Sequence, residues 1–406
     1  MISYIIPTRD RLDELLQTLA SIERLGDHGP VDGAEVVIAD NASQIDIAAH
    51  VPKCLASGVS VRCVRLDRNA GAAGRNVAAA NSDPRSSWLV MLDDDSAPLD
   101  AGLFDALRSH EPDAGIIAGE VFLPNAMTSD VPGQRRGPRE SGGLPEVHVG
   151  CGAAIGRNLF LQLGGYDAAF GFYAEEYDLC ARLLLCGRSV RFDQRFGVLH
   201  RKVQSNRSKA MIIERLMRNN AWVMARYAPA ESMVAAIEAT FDRYGAIAQR
   251  EGVPEAGAAG IDEARATLRQ QRRTPMSTAL WDRFTGMAHA RAAVGRAQAQ
   301  RPFSAARLVC AGKNAEYVQR ALLEQGVAID ERASVQMIAT LSPGPMLDAA
   351  DELASGHGAN GAAQSLAEVI AGPASGRGAR VIAPWDLQVL PSCTKVQTNT
   401  TAARAA

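Results

Sequence analysis

Residues 87–95 read SWLVMLDDD, an uncharged run of large apolar side chains that stops at three consecutive aspartates. Such a run is typical of a strand buried in a sheet, and the aspartates mark the point where it leaves the core. Further strands are predicted earlier in the chain at 3–6 and 34–39, and at 60–66, where Val61 and Val64 stand among polar residues. Helical patterns separate them, at 10–25 and 70–80. This alternation predicts an α/β fold with a mostly parallel sheet.

The rest of the chain changes character in steps. A further strand is predicted at 114–122, and the stretch 124–145, rich in Gly, Pro and Arg, predicts a long loop. Helical patterns rich in Ala and Arg fill 231–299, and a small α/β pattern begins near residue 306. The sequence therefore predicts four regions: an α/β domain, a helical region, a small α/β region of unknown role and a disordered tail, over 1–228, 229–300, 301–391 and 392–406.

Composition excludes several classes of protein. The net charge of −2 over 406 residues gives no general attraction to nucleic acid or to an anionic membrane. No run of 18 apolar residues occurs, and Met1–Pro7 does not resemble a signal peptide. The seven cysteines are scattered without a C-x-x-C pair, which argues against a disulfide framework and a structural zinc site. We expect a cytoplasmic protein, with peripheral membrane contact as the alternative.

Polar residues follow each of the first four predicted strands. In an open α/β sheet, ligands bind beyond the carboxyl ends of the strands, so these residues are candidates for one site. Each taken singly is also typical of a turn or a helix N-cap. The residues are Pro7, Thr8 and Arg9, then Asp40, Asn41 and Ser43, then Asn69, Gly71 and Gly74, and last Asp93, Asp94 and Asp95.

The acidic triplet carries the most specific chemistry. Three adjacent carboxylates repel one another, and a divalent cation would relieve that repulsion while bridging them to substrate phosphates. Alternate residues of an extended segment share a face, so Asp93 and Asp95 can point into one cleft. The alternative is a solvated acidic turn, because a D-x-D pattern is common by chance. Mn²⁺ or Mg²⁺ is the expected cofactor.

Seven motifs in order resemble the family 2 inverting glycosyltransferases, which have a GT-A fold. The resemblance covers roughly residues 1–228. It implies a nucleotide-sugar-binding domain of GT-A type, followed by a helical segment and a small α/β region that the family does not explain. The motifs are IIPTR (5–9), VVIADNAS (36–43), NAGAAGRN (69–76), VMLDDDS (90–96), GCGA (150–153), LGGYDAAF (163–170) and AEEYDLCAR (174–182).

The resemblance also implies roles for individual residues. Asp95 would ligate the metal ion, and His200, at the end of the predicted strand FGVLH, would be a second ligand or a structural histidine. Asp40 would accept a hydrogen bond from the ring N–H of a uracil or thymine. The residues implied in nucleotide-sugar binding are Pro7, Thr8, Arg9, Asp40, Asn41, Asn69, Gly71, Arg75, Asp93, Asp94 and Gly152.

The general base is expected at the start of a helix. The family motif is usually Glu-Asp, and this chain has Glu175-Glu176, which places Glu176 at the base position. The longer side chain leaves Asp178 and Glu175 as alternatives. Asp178 and Arg182 stand four residues apart, so their simplest interpretation is an ion pair on the helix surface.

These features together predict a metal-dependent inverting glycosyltransferase. It would move a sugar from a nucleoside-diphosphate donor, with UDP or dTDP favoured, to a hydroxyl acceptor that is a glycan, lipid-linked or other molecule. The setting would be glycan or polysaccharide biosynthesis, and a homo-oligomer is possible. One alternative is a non-catalytic scaffold that binds a sugar or nucleotide. The other is a nucleotidyltransferase, which would normally carry a glycine-rich loop after the first strand, where this chain has PTRDR.

Overall fold

The computed structural model of the chain describes residues 1–25, 33–110, 114–125, 137–202, 208–356 and 380–385. Its strands are β1 (Ile2–Thr8), β2 (Ala34–Asp40), β3 (Ser60–Arg65), β4 (Trp88–Met91), β5 (Ser96–Pro98), β6 (Gly115–Phe122), β7 (Ala153–Gly156), β8 (Ser189–His200), β9 (Ala305–Val309), β10 (Ala328–Ile329), β11 (Val335–Ile338) and β12 (Arg380–Ile382). Its helices are α1 (Leu12–Arg24), α2 (Gly74–Ala80), α3 (Gly102–Ser109), α4 (Arg157–Gln162), α5 (Glu175–Leu185), α6 (Lys209–Tyr227), α7 (Met233–Glu251), α8 (Pro254–Thr267), α9 (Thr278–Thr285), α10 (Met287–Gln300), α11 (Ala315–Glu324) and α12 (Pro343–Gly356).

The first eight strands form one mixed sheet in the order β3-β2-β1-β4-β7-β6-β8-β5. The half that begins the chain, β3-β2-β1-β4, is parallel. Beyond it, β7 runs antiparallel to both β4 and β6, and β5 is antiparallel to β8. The prediction of an α/β fold is confirmed. Two short strands, β5 and β7, were missed because three or four residues carry too little periodicity to identify a strand.

Strand β1 extends further than its sequence indicates. The predicted strand ended at residue 6, whereas β1 continues through Pro7 to Thr8. Pairing with β4 stops at Ile5, opposite Met91, while pairing with β2 continues until Thr8 lies opposite Asp40. Pro7 comes after the last β1–β4 pair, so its missing N–H leaves no bond of that ladder unmade. Thr8 and Asp40 thereby reach the same edge.

Two apolar layers cover the faces of this sheet. Helices α1 and α3 cover one face with buried leucines, isoleucine and phenylalanine. The other face packs on α5 and α6, and its cluster runs without a break through α9 and α10 into the small C-terminal sheet. Leu144, Val147 and Leu341 are all members of this cluster. The helical and C-terminal regions therefore share a core with the sheet that carries the acidic triplet.

The C-terminal region is a four-stranded parallel sheet in the order β10-β9-β11-β12. Helix α11 connects β9 to β10, and α12 follows β11. This confirms the predicted small α/β region, and α7 to α10 occupy the predicted helical stretch. The predicted disordered tail and the centre of the predicted loop 124–145 lie outside the described residues. Within those residues, no helix is both long and apolar enough to cross a bilayer.

Candidate active site

The carboxyl edge of β1 and β4 brings several predicted site residues together. Thr8, the last residue of β1, is buried, and its hydroxyl donates to Oδ2 of Asp94 at 2.9 Å. Asp93 forms an ion pair with Arg75. The guanidinium of Arg75 also donates a hydrogen bond to the carbonyl of Leu92 at 3.3 Å. Arg75 is itself buried, on α2. The edge is therefore a compact set of charged and polar groups, as the strand-end rule predicts.

Two arginines neutralise the acidic triplet. Arg11 lies 3.2 Å from Oδ1 of Asp94 and 2.6 Å from Oδ2 of Asp95, while Arg75 pairs with Asp93. The relief of carboxylate repulsion was expected from a metal ion, and Arg11 was not predicted to belong to the site. The available signal was its basic side chain, five residues beyond the end of the predicted strand 3–6. Burial raises the pKa of Asp94 to about 7, although Arg11 and Thr8 act to lower it.

Asn41, Asn69 and Gly71 shape the loop that precedes α2. The amide of Asn41 donates to the carbonyl of Gly71 at 3.2 Å and accepts from the backbone of Ala70 at 3.1 Å. Asn69 accepts from the backbone N–H of Gly71 at 2.9 Å. Gly71 has φ +60°, and a β-carbon there would collide with the carbonyl of Gly171. The loop is thus fixed against the segment that precedes α5.

His200 and Asp95 form the pair that could hold a metal ion. The long strand β8 ends at His200, which pairs with Ser96 of β5. Its Nε2 lies 3.4 Å from Oδ1 of Asp95. Two ligands in adjacent octahedral positions, each bound at about 2.1 Å, stand about 3 Å apart, so this separation fits a shared ion. Carboxylates suit Mg²⁺ and Mn²⁺, and an imidazole favours Mn²⁺ of the two.

A second grouping overlaps this pair. Donor atoms of Asp93, Cys151 and His200 lie within 4.8 Å of one another. Burial raises the pKa of the Cys151 thiol, so Cys151 is a weak ligand for a hard cation. Behind the ring, Nδ1 of His200 lies 3.1 Å from Oε2 of Glu140, the kind of outer contact that fixes a ligand's tautomer. Cys151 and Glu140 were not predicted from the sequence.

The start of α5 carries the predicted base in a constrained segment. Tyr173 and Ala174 both have positive φ, +75° and +64°. The side-chain amide of Asn219, on α6, donates to the carbonyls of Phe170, Phe172 and Tyr173 at 3.0, 2.9 and 2.6 Å. Such backbone is costly for residues other than glycine and needs support of this kind. Asn219 was missed, because its role depends on a contact between distant parts of the chain.

Glu175 and Glu176 follow this segment directly. Glu175 is buried, and its Oε2 has no hydrogen-bond partner among the described residues. Burial and the neighbouring Glu176 raise the pKa of Glu175 to about 8. Glu176 is partly buried, and burial raises its pKa also, while Arg75 acts to lower it and Asp93 to raise it. The two glutamates therefore lie in the electrostatic field of the arginine and the triplet.

Asp178 occupies a different environment. Its carboxylate is almost fully buried, with a side chain 1% exposed. It accepts from Arg182 at 2.9 Å, from Arg226 at 2.8 Å and from the hydroxyl of Tyr227 at 2.7 Å. The ion pair with Arg182 is confirmed, but it belongs to a buried network that ties α5 to α6 rather than to an exposed helix surface.

The comparison with protein families agrees with this geometry. Residues 3–166 match the family described as glycosyl transferase family 2. This segment is similar to the family 2 glycosyltransferases. The match ends before α5, so Glu175, Glu176 and the whole C-terminal half lie outside it. No curated protein matches the chain by sequence.

The chain also has similar solved structures, each 16% identical in sequence. S. aureus TarS 1-349 in complex with UDP-GlcNAc has a TM-score of 0.47 and covers 80% of this chain and 92% of its own. The mannosyltransferase PcManGT from Pyrobaculum calidifontis, with GDP-Man and Mn2+, has a TM-score of 0.42, with coverage of 80% and 86%. GalNAc-T7 with UDP, GalNAc and Mn2+ has a TM-score of 0.44, with coverage of 66% and 57%.

Three further residues predicted for the nucleotide site are either partly exposed or bonded to neighbouring parts of the chain. Arg9 is half exposed, and its Nε is 3.7 Å from Asp10. Asp40 is buried, accepts from the backbone of Ser43 at 2.8 Å and pairs with Arg65 at 3.3 Å. Gly152 has φ +114° and bonds through its backbone to Met91 and Gly119. The nucleotide-binding roles of these residues stay predictions.

Proposed function

We propose that this domain catalyses metal-dependent, inverting transfer of a sugar from a nucleoside diphosphate to a hydroxyl acceptor. The observation that carries the proposal is the approach of Asp95 to His200, 3.4 Å apart, beside the Arg75–Asp93 ion pair. Carboxylate, imidazole and guanidinium groups at one strand edge are the groups needed to hold a cation and a diphosphate together.

The donor would bind across the carboxyl ends of β1, β2 and β4. Asp40 would accept from the ring N–H of a uracil or thymine, which favours UDP or dTDP, with Thr8, Arg9, Asn41 and Asn69 around the nucleoside. Arg75 would face the diphosphate. When bound, Mn²⁺ or Mg²⁺ would neutralise the negative charge that develops on the leaving diphosphate. Asp95 and His200 would hold that ion, and Glu140 would keep the imidazole oriented.

Glu176 would take the proton from the acceptor hydroxyl. It follows the constrained segment at 173–174 and lies within the field of Arg75 and Asp93. A direct displacement needs the base on the face of the sugar opposite the leaving group, and it inverts the anomeric carbon. Asp178 would act as a support of α5, since its carboxylate accepts from two arginines and a tyrosine.

The proposal extends to the organisation and setting of the protein. The division into 1–228, 229–300 and 301–391 assigns donor binding to the first region, with the tail 392–406 taking no part. The acceptor would be a glycan, a lipid-linked glycan or another hydroxyl compound, reached in the cytoplasm or at a membrane surface. The reaction would serve glycan biosynthesis.

The test is calorimetric titration with UDP, dTDP, GDP and CDP, each with Mn²⁺ and then with EDTA. We expect one nucleotide to bind with metal and to lose most of its affinity with EDTA. Turnover of the matching nucleotide sugar, followed by proton NMR of the product's anomeric signal, then reports inversion or retention. Absence of binding to all four nucleotides, by protein shown to be folded, would reject the proposal.

A further inference from the structure

Lys313 lies far from the acidic triplet in sequence but reaches the helix that carries the predicted base. It belongs to the loop between β9 and α11 of the C-terminal sheet. Its Nζ donates to the hydroxyl of Tyr177 and stands 4.5 Å from the centre of that ring. Tyr177 is the residue next to Glu176, in the first turn of α5. A lysine of the C-terminal region thus meets the first turn of α5.

The loop that presents Lys313 is held at three points. The carbonyl of Lys313 accepts from the backbone of Leu341 at 2.9 Å, and the N–H of Gly312 donates to Ala339 at 2.9 Å. Asn314 donates from its side chain to the carbonyl of Thr285, at the end of α9, at 2.8 Å. These bonds tie the loop to the segment that follows β11 and to the helical region. Lys313 is therefore placed by the fold and not by chance contact of a long side chain.

We propose that Lys313 is a positioning residue for Glu176, so that the C-terminal α/β region completes the catalytic site. The inference rests on the proposed function for the identity of the base. It departs from the simpler view of the C-terminal region as a separate docking module. The ammonium group of Lys313 would hold the Glu176 carboxylate ionised and in place for the acceptor proton.

The groups around Lys313 act on its positive charge in both directions. Burial raises the pKa of Tyr177 well above its usual value, so the phenol stays neutral and does not cancel the lysine's charge. Arg243, on α7, is paired with Glu316 of α11 at 3.0 Å and repels Lys313. Burial lowers the pKa of Lys313 to about 7, with Arg243 acting in the same direction and Glu176 opposing it.

The groups that face Glu176 come from several elements. Lys313 and Arg75 act to lower the pKa of Glu176, whereas burial and Asp93 raise it. The further titratable neighbours are the carboxyl of Glu175, the hydroxyls of Tyr166, Tyr177 and Tyr244, and the thiol of Cys180. Among these groups Lys313 is the cation contributed by the C-terminal region. Its removal should therefore leave Glu176 protonated over a wider range of pH.

The first experiment compares the pH dependence of turnover for the wild type, Lys313→Met and Lys313→Arg. An opposite charge close to a carboxyl group shifts its pKa by about one unit or more. In Lys313→Met we expect the acid limb of the kcat profile to move up by about one pH unit while the donor KM stays unchanged. In Lys313→Arg the acid limb should return most of the way to its wild-type pH. A profile that stays in place in folded Lys313→Met protein would overturn the inference.

The second experiment needs no turnover. The chain has five lysines, Lys53, Lys202, Lys209, Lys313 and Lys395, so NMR of lysine labelled at Cε can follow each titration. Lys313→Arg identifies the signal of Lys313. We expect Glu176→Gln to lower the pKa of Lys313 because it removes the carboxylate that favours the ammonium form.

The matched control is Glu251→Gln, since Glu251 pairs with Lys209 at 2.8 Å. It should leave the pKa of Lys313 unchanged. A Lys313 titration that Glu176→Gln does not move would overturn the inference even for an active enzyme. Conversely, a wild type without glycosyl transfer would reject the proposed function, while the coupling of Lys313 to Glu176 would still be decided by this measurement.

Discussion

The Nδ1 atom of His200 lies 3.1 Å from Oε2 of Glu140, although the two residues come from separate parts of the chain. Glu140 belongs to a segment that α12 holds in place. There, Ser342 donates its hydroxyl to the carbonyl of Gly142 at 2.6 Å, and Arg139 pairs with Asp348 at 2.7 Å. The imidazole that approaches Asp95 is therefore oriented by a carboxylate that itself depends on the C-terminal region.

Glu140→Gln should weaken metal binding without removing a direct ligand. The loss of an outer carboxylate behind a ligating histidine typically costs about 10–100-fold in metal affinity. Titration of Mn²⁺ in the presence of the preferred nucleotide, followed by electron paramagnetic resonance, measures the change. Glu238→Gln, an exposed position on α7, is the matched control. Equal Mn²⁺ affinity in Glu140→Gln and the control would contradict the outer-ligand role.

Asp95→Ala should abolish the dependence of nucleotide binding on metal. The substitution removes the carboxylate 3.4 Å from His200, so the affinity measured with Mn²⁺ should fall to the affinity measured with EDTA. Calorimetry under both conditions checks this. Asp105→Ala serves as control, because Asp105 lies exposed on α3 and pairs with Arg108. A metal effect that survives in Asp95→Ala would assign the ion to other residues.

Glu176→Gln should keep nucleotide binding and lose transfer. Removal of a positioned general base typically lowers the rate by about 10² or more. Steady-state turnover of the preferred nucleotide sugar, together with calorimetry, separates chemistry from binding. Normal turnover in this variant would remove Glu176 from the role of base.

Asp178→Asn provides the contrast to that variant. It leaves Arg182 and Arg226 without their shared carboxylate, and breaking a buried pair from one side costs about 3 kcal/mol of folding free energy. We expect a lower midpoint of thermal unfolding and no specific loss of turnover in the protein that remains folded. Full stability with lost turnover would instead assign the proton transfer to Asp178.

Glu175 should make the folded protein less stable as the pH rises. Its carboxyl holds a proton in the folded state up to about pH 8 but releases it near 4.5 when exposed. Between these values the folded state binds more protons than the unfolded state, so stability falls with rising pH, by about 1.4 kcal/mol per unit for one such group. Urea unfolding from pH 5 to 8 should therefore show a steeper decline in the wild type than in Glu175→Gln. Parallel curves would contradict this account.

A chain that stops at residue 300 should not fold to a stable domain. It would remove α11, α12 and the C-terminal sheet, and would expose apolar residues that share one cluster with the main sheet. Stopping at 391 removes the predicted tail and should preserve thermal unfolding. Circular dichroism and binding of a hydrophobic dye compare the two chains. A soluble, cooperative product ending at 300 would show that the shared cluster is dispensable.

The strand-end residues could be predicted because their arrangement follows from local pattern and one topological rule. Alternation of strand and helix implies parallel strands, and parallel strands place their carboxyl ends at one edge. The hydroxyl of Thr8 lies 2.9 Å from Oδ2 of Asp94, so the ends of these two strands lie together as this rule implies. The acidic triplet was found in the same way.

Other parts of the site depend on contacts between distant segments, which periodicity does not encode. Glu140, Asn219 and Lys313 act through partners far away in the chain, and each is polar in a sequence that has many such residues. Arg11 was visible but was read as part of a loop. The antiparallel β7 was missed because four residues, three of them with small side chains, resemble a turn as much as a strand.

Under the proposed function, the support of Tyr173 and Ala174 by Asn219 makes α6 a determinant of reactivity. The position of the two glutamates depends on a side-chain amide that α6 carries. Substitutions on α6 would therefore change the rate of transfer while leaving the residues proposed to bind the donor in place. For protein engineering, this helix would be a place to adjust catalysis without changing a residue proposed to contact the substrates.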